Sequence, residues 1–257
     1  MRDMVDHDST PAETPPATGK PWGMWATIGF SLLTVLATVL VQAAVVVAYM
    51  VIRNSIEPGI NVQRLADEGA ASGLVLASGI MVSLPLELGL ILLWVKLRRG
   101  STLRGYLALE PVPWLQMLGW LGATLAWAAC LDGVTYLLGR AIVPPFMEQA
   151  YRTAVWPPLL WLALIVGAPL IEETLFRGFL FAGLRPRLGS AGAVTVAAVA
   201  WALLHVQYDA FGIATILATG LLLGTARVRS ASLYPPLAMH ALLNLLATIE
   251  VACWPGK

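Results

Sequence analysis

Charge is scarce in this chain. Only 12% of its 257 residues are Asp, Glu, Lys or Arg, 58% are hydrophobic, and the mean hydropathy is +0.75. A soluble domain usually carries about a quarter charged residues, so an ordinary aqueous globule is excluded and an integral membrane protein is indicated. Cysteine is nearly absent. Cys130 and Cys253 lie in apolar runs outside any Cys-x-x-Cys pattern, which leaves no disulfide framework or zinc knuckle and reads as two buried small side chains. There is no Gly-x-Ser-x-Gly, no Ser-Lys dyad and no phosphate loop, so serine-nucleophile and nucleotide chemistry drop out. No stretch alternates strictly in polarity as a membrane barrel strand does, and no repeat of a fixed period is visible. The net charge of +1 gives no ground for a nucleic-acid partner, and none is expected.

What is present is a series of long apolar runs. Residues 1–21 are polar, acidic and proline-bearing, contain no apolar stretch of a signal peptide, and read as a disordered cytoplasmic tail. From Trp22 on, runs of about 20 apolar residues recur, the length that crosses a bilayer as a helix. They fall near 24–52, 72–97, 114–139, 157–183, 191–209, 211–228 and 233–252. The expected fold is all-α, a polytopic bundle of about seven transmembrane spans, with helices the only spanning element available. Residues 22–152 form its N-terminal helices and 153–257 the part that carries chemistry. The positive residues cluster in alternate loops: Lys96, Arg98, Arg99 and Arg104, then Arg185 and Arg187, then Arg227 and Arg229, with Arg2 and Lys20 in the tail. By the positive-inside rule that side is cytoplasmic, and the composition suits a bacterial inner membrane. Trp114, Trp120, Trp127, Trp156 and Trp161 read as interfacial belt and packing residues, and the basic loops offer a surface for anionic membrane lipid.

One run breaks the apolar rule. Leu170–Leu180, LIEETLFRGFL, holds Glu172, Glu173 and Arg177 mid-span. A charge near the bilayer centre costs roughly 3 kcal/mol on insertion scales, and such residues face a bundle interior or a wet cavity. Glu173 and Arg177 are four apart on one helical face and can neutralise each other. Glu172 lies about 100° away around the helix and has no such partner. It is left as a carboxylate in an apolar setting, the environment of a general base or acid.

Two histidines sit in later spans, His205 in WALLHVQYD and His240 in LAMHALLN. At 1.5 Å per residue, Glu172 lies roughly 17 Å from the cytoplasmic end of its helix, His205 roughly 21 Å and His240 roughly 12 Å. All three can share one layer. Asn244 is four residues beyond His240 on the same face, placed to orient the imidazole or donate to a reacting oxygen. A carboxylate, two imidazoles and an amide suit water activation beside a polarised carbonyl, which is hydrolysis, best of an amide. Two versions stay open. In the metal-free one, Glu172 and His205 deprotonate water while His240 and Asn244 stabilise the oxyanion. In the other, Zn²⁺ sits on Glu172, His205 and His240 with an open position for water.

Taken in order, Glu172-Glu173-x-x-x-Arg177, Trp201-x-x-x-His205 and His240-x-x-x-Asn244 resemble the CPBP family of intramembrane peptidases, also called the CAAX protease, bacteriocin-processing or Abi family. The likeness covers about Trp156 to Ile249, and Trp201 stands where the family usually has Phe. The resemblance implies an all-helical fold with a buried site opening to a cavity. It implies catalytic duty for Glu172, Glu173, Arg177, His205, His240 and Asn244, and an endopeptidase that is either metal- or glutamate-dependent. It implies a peptide or protein substrate, prenylated at a CAAX tail in the eukaryotic branch.

Glu87 in LPLELGL lies at the depth of the site and is a candidate for its access cavity, while Asp132 reads as interfacial. Intramembrane Glu and His also build proton relays, so a proton-coupled transporter is an alternative. A non-catalytic immunity or scaffold protein is another. From the loop charges, a reporter fused at Lys257 is expected on the non-cytoplasmic side, and activity of a cytoplasmic reporter there would reverse the orientation.

Overall fold

The computed structural model describes residues 19–253, so most of the expected tail and Lys257 lie outside the described residues. In chain order the helices are α1 (Met24–Ile56), α2 (Val62–Ala70), α3 (Gly73–Leu97), α4 (Leu103–Leu107), α5 (Trp114–Leu137), α6 (Pro145–Arg152), α7 (Pro157–Leu162), α8 (Ala168–Glu173), α9 (Phe181–Leu203), α10 (Ala210–Ser230) and α11 (Tyr234–Cys253). No strand occurs among the described residues. Local sequence sets several boundaries. Asn61, Ser72, Thr102 and Asp209 accept hydrogen bonds from first-turn amides of α2, α3, α4 and α10, as N-cap side chains do. Pro145 and Pro157 occupy first turns, where a missing N–H costs nothing.

Among the described residues, six helical stretches are long and apolar enough to cross a bilayer: α1, α3, α5, the run Pro157–Leu203, α10 and α11. The chain is an integral membrane protein, and its large exposed side chains, such as Leu32, Leu36 and Leu40 of α1 and Leu115 and Leu118 of α5, face lipid. The run Pro157–Leu203 has 47 residues. Straight, it would measure about 70 Å at 1.5 Å per residue, more than twice the ~30 Å hydrocarbon core. Gly189, with φ 67° and ψ 178°, breaks it into two arms that pack together. The expected fourth and fifth spans are these arms, joined by a single glycine elbow instead of a loop. Cys130 and Cys253, expected to be buried, are both exposed on helix surfaces, where lipid rather than protein covers them.

The two ends of the bundle are tied separately. At one end, Gly19 N donates to Gly100 O at 2.8 Å, Arg98 Nε to Lys20 O at 2.9 Å, and Leu233 N to Ala108 O at 2.9 Å. At the other, Gly73 N donates to Thr153 Oγ1 at 2.8 Å, Arg53 pairs with Glu68, and Arg140 pairs with Asp209. Between them the chain relies on close helix approach, as expected where lipid removes much of the hydrophobic drive for helices to associate. Gly220 and Gly224 of α10 form a small-xxx-small face against Val194, Ala198 and Trp201 of α9. Gly183 lies against Thr27 of α1, where an added Cβ would stand 1.9 Å from Thr27 Oγ1. Gly183→Ala should therefore overpack the α1–α9 contact, at about 1–3 kcal/mol, and lower the unfolding temperature in detergent; an unchanged temperature would show that this contact does not hold the helices together.

Candidate active site

The short helix α8 carries Glu172 and Glu173 and is flanked on both sides by π-helical stretches, Ala163–Gly167 and Thr174–Leu180. Pro169 explains the first: it lacks an N–H and its ring crowds the carbonyl four residues back, so the turn before it widens. Such widened turns recur at functional sites. They set the direction in which the two glutamates leave the helix.

Glu173 and Arg177 point into the protein. Arg177 Nη1 donates to Glu173 Oε1 at 2.9 Å, and the two side chains are 2% and 0% exposed. Arg177 Nη2 donates to Gly220 O at 3.2 Å, and its guanidinium lies over the Trp201 ring at 4.5 Å. Arg227 Nε donates to Arg177 O at 3.0 Å. Glu173 Oε1 also takes a hydrogen bond from His240 Nδ1 at 2.9 Å. A carboxylate only accepts, so the Nδ1 proton of His240 is fixed on that side and Nε2 faces the other way, 3.9 Å from Glu172 Oε2. Glu173 Oε2 is buried without a hydrogen-bond partner.

Glu172 points instead into a cavity of about 810 Å³. Its Oε2 accepts a hydrogen bond from the indole Nε1–H of Trp201. Trp201 is the hub of this wall, with ring centroids 5.1 Å from His205 and 5.3 Å from His240. His205 Nδ1 lies 2.9 Å from Trp201 O. A carbonyl cannot donate, so Nδ1 carries the proton and Nε2 keeps its lone pair. His205 is not in a helix, as the sequence suggested, but in the irregular segment that follows α9. The arm after Gly189 ends at Leu203, about 21 Å long at 1.5 Å per residue, short of the ~30 Å hydrocarbon thickness. Irregular backbone at such depth is tolerated where it lines a cavity, and His205, Gln207, Tyr208 and Asp209 all do.

Asn244 also lines the cavity, but its Nδ2 donates to Leu164 O at 2.7 Å. It bridges α11 to the π-helical turn before α8 and makes no hydrogen bond to His240. Asp209 accepts from Gly212 N at 2.9 Å and pairs with Arg140; the Gly212 amide, then Arg140, hold its carboxyl below the ordinary value. It caps α10 and makes no hydrogen bond to His205, four residues away. Glu87 is 3% exposed, accepts from Thr38 Oγ1 at 2.8 Å, and does not line the cavity. Among the described residues no three His, Cys, Asp or Glu side chains stand where one metal ion could be shared. With His240 Nδ1 held by Glu173 and His205 Nδ1 by a carbonyl, each imidazole keeps its Nε2 free, the orientation that metal-ligating histidines adopt, so Glu172, His205 and His240 are the residues that would hold a zinc ion. Two contributors escaped the sequence reading. The Trp201 indole N–H gives Glu172 a donor that Phe could not supply. Gly220 offers its carbonyl to Arg177, and a Cβ there would lie 3.1 Å from Trp201 and 3.2 Å from Arg177; its signal was the Gly220-Leu-Leu-Leu-Gly224 pattern.

Residues 154–246 match the family model described as type II CAAX prenyl endopeptidase Rce1-like. This segment is similar to an Rce1-like domain. It contains every residue singled out above except Glu87, the Arg140–Asp209 pair's Arg140 and Thr38, and it agrees with the CPBP resemblance. A curated relative, an uncharacterized 24.3 kDa protein of Escherichia coli, is 33% identical over 138 residues, which is 50% of this chain and 59% of the relative. No solved structure matches.

The two adjacent glutamates should separate in a stability assay. Glu173→Gln leaves Arg177 buried without its counter-charge, a loss of about 3–5 kcal/mol, whereas Glu172→Gln alters a side chain on a cavity wall and should cost far less. Unfolding of the two variants in detergent micelles measures the difference; equal losses would mean that Glu172 too is structural.

Proposed function

We propose that the chain is an intramembrane endopeptidase that hydrolyses a peptide bond of a membrane-associated polypeptide. The observation that carries this reading is the partition of the Glu-Glu pair: Glu173 is consumed by Arg177 and His240, while Glu172 meets the cavity beside an imidazole with a bare Nε2. The Rce1-like match over the same residues supports it.

In this mechanism, Glu172 and His205 draw a proton from a water molecule in the cavity, and the oxygen attacks the carbonyl carbon of the scissile bond. Trp201 holds the Glu172 carboxylate during this step. His240, anchored through Nδ1 to Glu173, donates from Nε2 to the oxyanion as an imidazolium. Asn244 fixes the spacing between α11 and the turn before α8, and could turn its amide toward the oxyanion when substrate displaces the Leu164 contact. The proton taken from water passes to the leaving amine as the tetrahedral intermediate collapses. No step is routed through a metal. Leu76, Ile80, Leu164, Ala168, Ile216 and Leu243 make much of the wall apolar, which suits apolar side chains or an attached lipid on the substrate.

Purified protein in liposomes, given a quenched fluorescent peptide library, is the direct test. Glu172→Gln and His205→Ala should each lower the cleavage rate by about 10²–10⁴-fold while the protein still inserts and unfolds cooperatively. Wild-type activity should survive a strong zinc chelator. Full activity in Glu172→Gln would end the peptidase reading, and chelator-sensitive activity would replace the metal-free version with the zinc one.

A further inference from the structure

The cavity has a direction. Its deep end is Glu172, Trp201 and His240, and its rim is built from one end of the bundle: Arg140 to Met147 apart from Val143, running from the loop after α5 into α6, Gln207 to Gly212 apart from Ala210, running into the start of α10, and Glu250 near the end of α11. No described residue of the opposite end lines it. There the floor beneath the site is closed by a packed apolar layer, with Tyr106, Leu107, Phe179, Phe181, Leu223 and Met239 all at most 6% exposed.

The two ends also differ in charge. Among the described residues the closed end carries Lys20, Lys96, Arg98, Arg99, Arg104, Arg185, Arg187, Arg227 and Arg229, with Glu110 as its carboxylate. Among the described residues only Arg104 of that group forms an ion pair with a carboxylate. At the open end Arg53, Arg64, Arg140 and Arg152 are each paired with an acid, and Asp67, Asp132 and Glu250 add further negative charge. The end richer in Lys and Arg near the membrane helices is the cytoplasmic one, and the closed end holds nine of them among the described residues against four at the open end.

We infer that the cavity opens to the non-cytoplasmic side, so that the enzyme's substrate is a polypeptide segment presented at the outer face of the membrane rather than a tail made and modified in the cytoplasm. The substrate part of this inference rests on the peptidase reading; the direction of the opening does not. A peptide entering over Gln207 and Phe146 would descend past His205 to Glu172 without crossing the bilayer, while one from the basic end would have to displace the apolar floor.

Single cysteines test the direction without any assay of activity. In a Cys130→Ala, Cys253→Ala background, Gln207→Cys and Ala141→Cys report the rim, and Ala191→Cys, beside the Gly189 elbow, reports the closed end. A membrane-impermeant maleimide should label both rim positions in right-side-out vesicles of the expression host and Ala191→Cys only in inverted vesicles, with all three labelled after detergent. Rim labelling confined to inverted vesicles, labelling of both ends from one side, or rim sites that react only in detergent would each overturn the inference. In the same vesicles, an impermeant quenched peptide library should be cut only when supplied to right-side-out preparations, and Glu172→Gln should abolish that signal. Correct labelling with no cleavage in any orientation would sink the peptidase reading while leaving the direction standing; cleavage confined to inverted vesicles would overturn the direction.

Discussion

The contact between Arg177 and Glu173 determines where everything else in the site can be. A guanidinium sealed from water must find acceptors for its donors, and here it has one carboxylate, one backbone carbonyl and one aromatic face. Those three come from α8, α10 and α9. The same carboxylate oxygen then receives His240 from α11. Four helices are thus referenced to a single charge pair, in surroundings where an unmatched charge is expensive. The cost of burying the pair is offset only when all of these partners are in place, so it acts as a condition on the packing more than as a source of stability.

This division of duties was legible in the sequence because it follows from angle alone. Four residues bring Glu173 and Arg177 to one face and leave Glu172 on another. The helical bundle was legible for a similar reason, since backbone groups in lipid must be satisfied within the element. The seven expected crossings appear as six helical stretches because the fourth and fifth share a glycine elbow, a distinction that hydropathy cannot make. His205 illustrates the limit of periodicity. WALLHVQYD is apolar enough to continue a span, yet the helix stops at Leu203 and the imidazole is held by a carbonyl of the last turn. Nothing in the residue types signals that stop; it depends on the cavity that makes irregular backbone tolerable there. Glu87 shows the reverse case, a residue at the right depth whose side chain is taken up by Thr38 on a neighbouring helix. Trp201 looked like a bulky stand-in for Phe, and only the geometry reveals that its N–H, not its size, meets Glu172.

Small residues and basic residues organise the rest at different scales. Gly183, Gly220 and Gly224 let helices approach until backbone and ring atoms touch, which leaves little freedom for Trp201 or Arg177 to shift. The arginines act over longer range. At the open end Arg53, Arg64, Arg140 and Arg152 each have a carboxylate partner, and among the described residues the basic side chains behind the cavity floor lack one, Arg104 excepted. Packing therefore sets the depth of the site, and charge sets which way it looks.

The π-helical turns on either side of α8 carry one more implication. Each holds an extra residue that a regular helix would not contain, so α8 is phased relative to its neighbours by two stored insertions. Removing one residue from Ala163–Gly167 would restore ordinary hydrogen bonding and yet turn α8 by about 100° against the segment before it, carrying Glu172 off the wall and Glu173 toward it. Local regularity and the placement of the carboxylates are in opposition at this point, and a lineage that keeps the one must forgo the other.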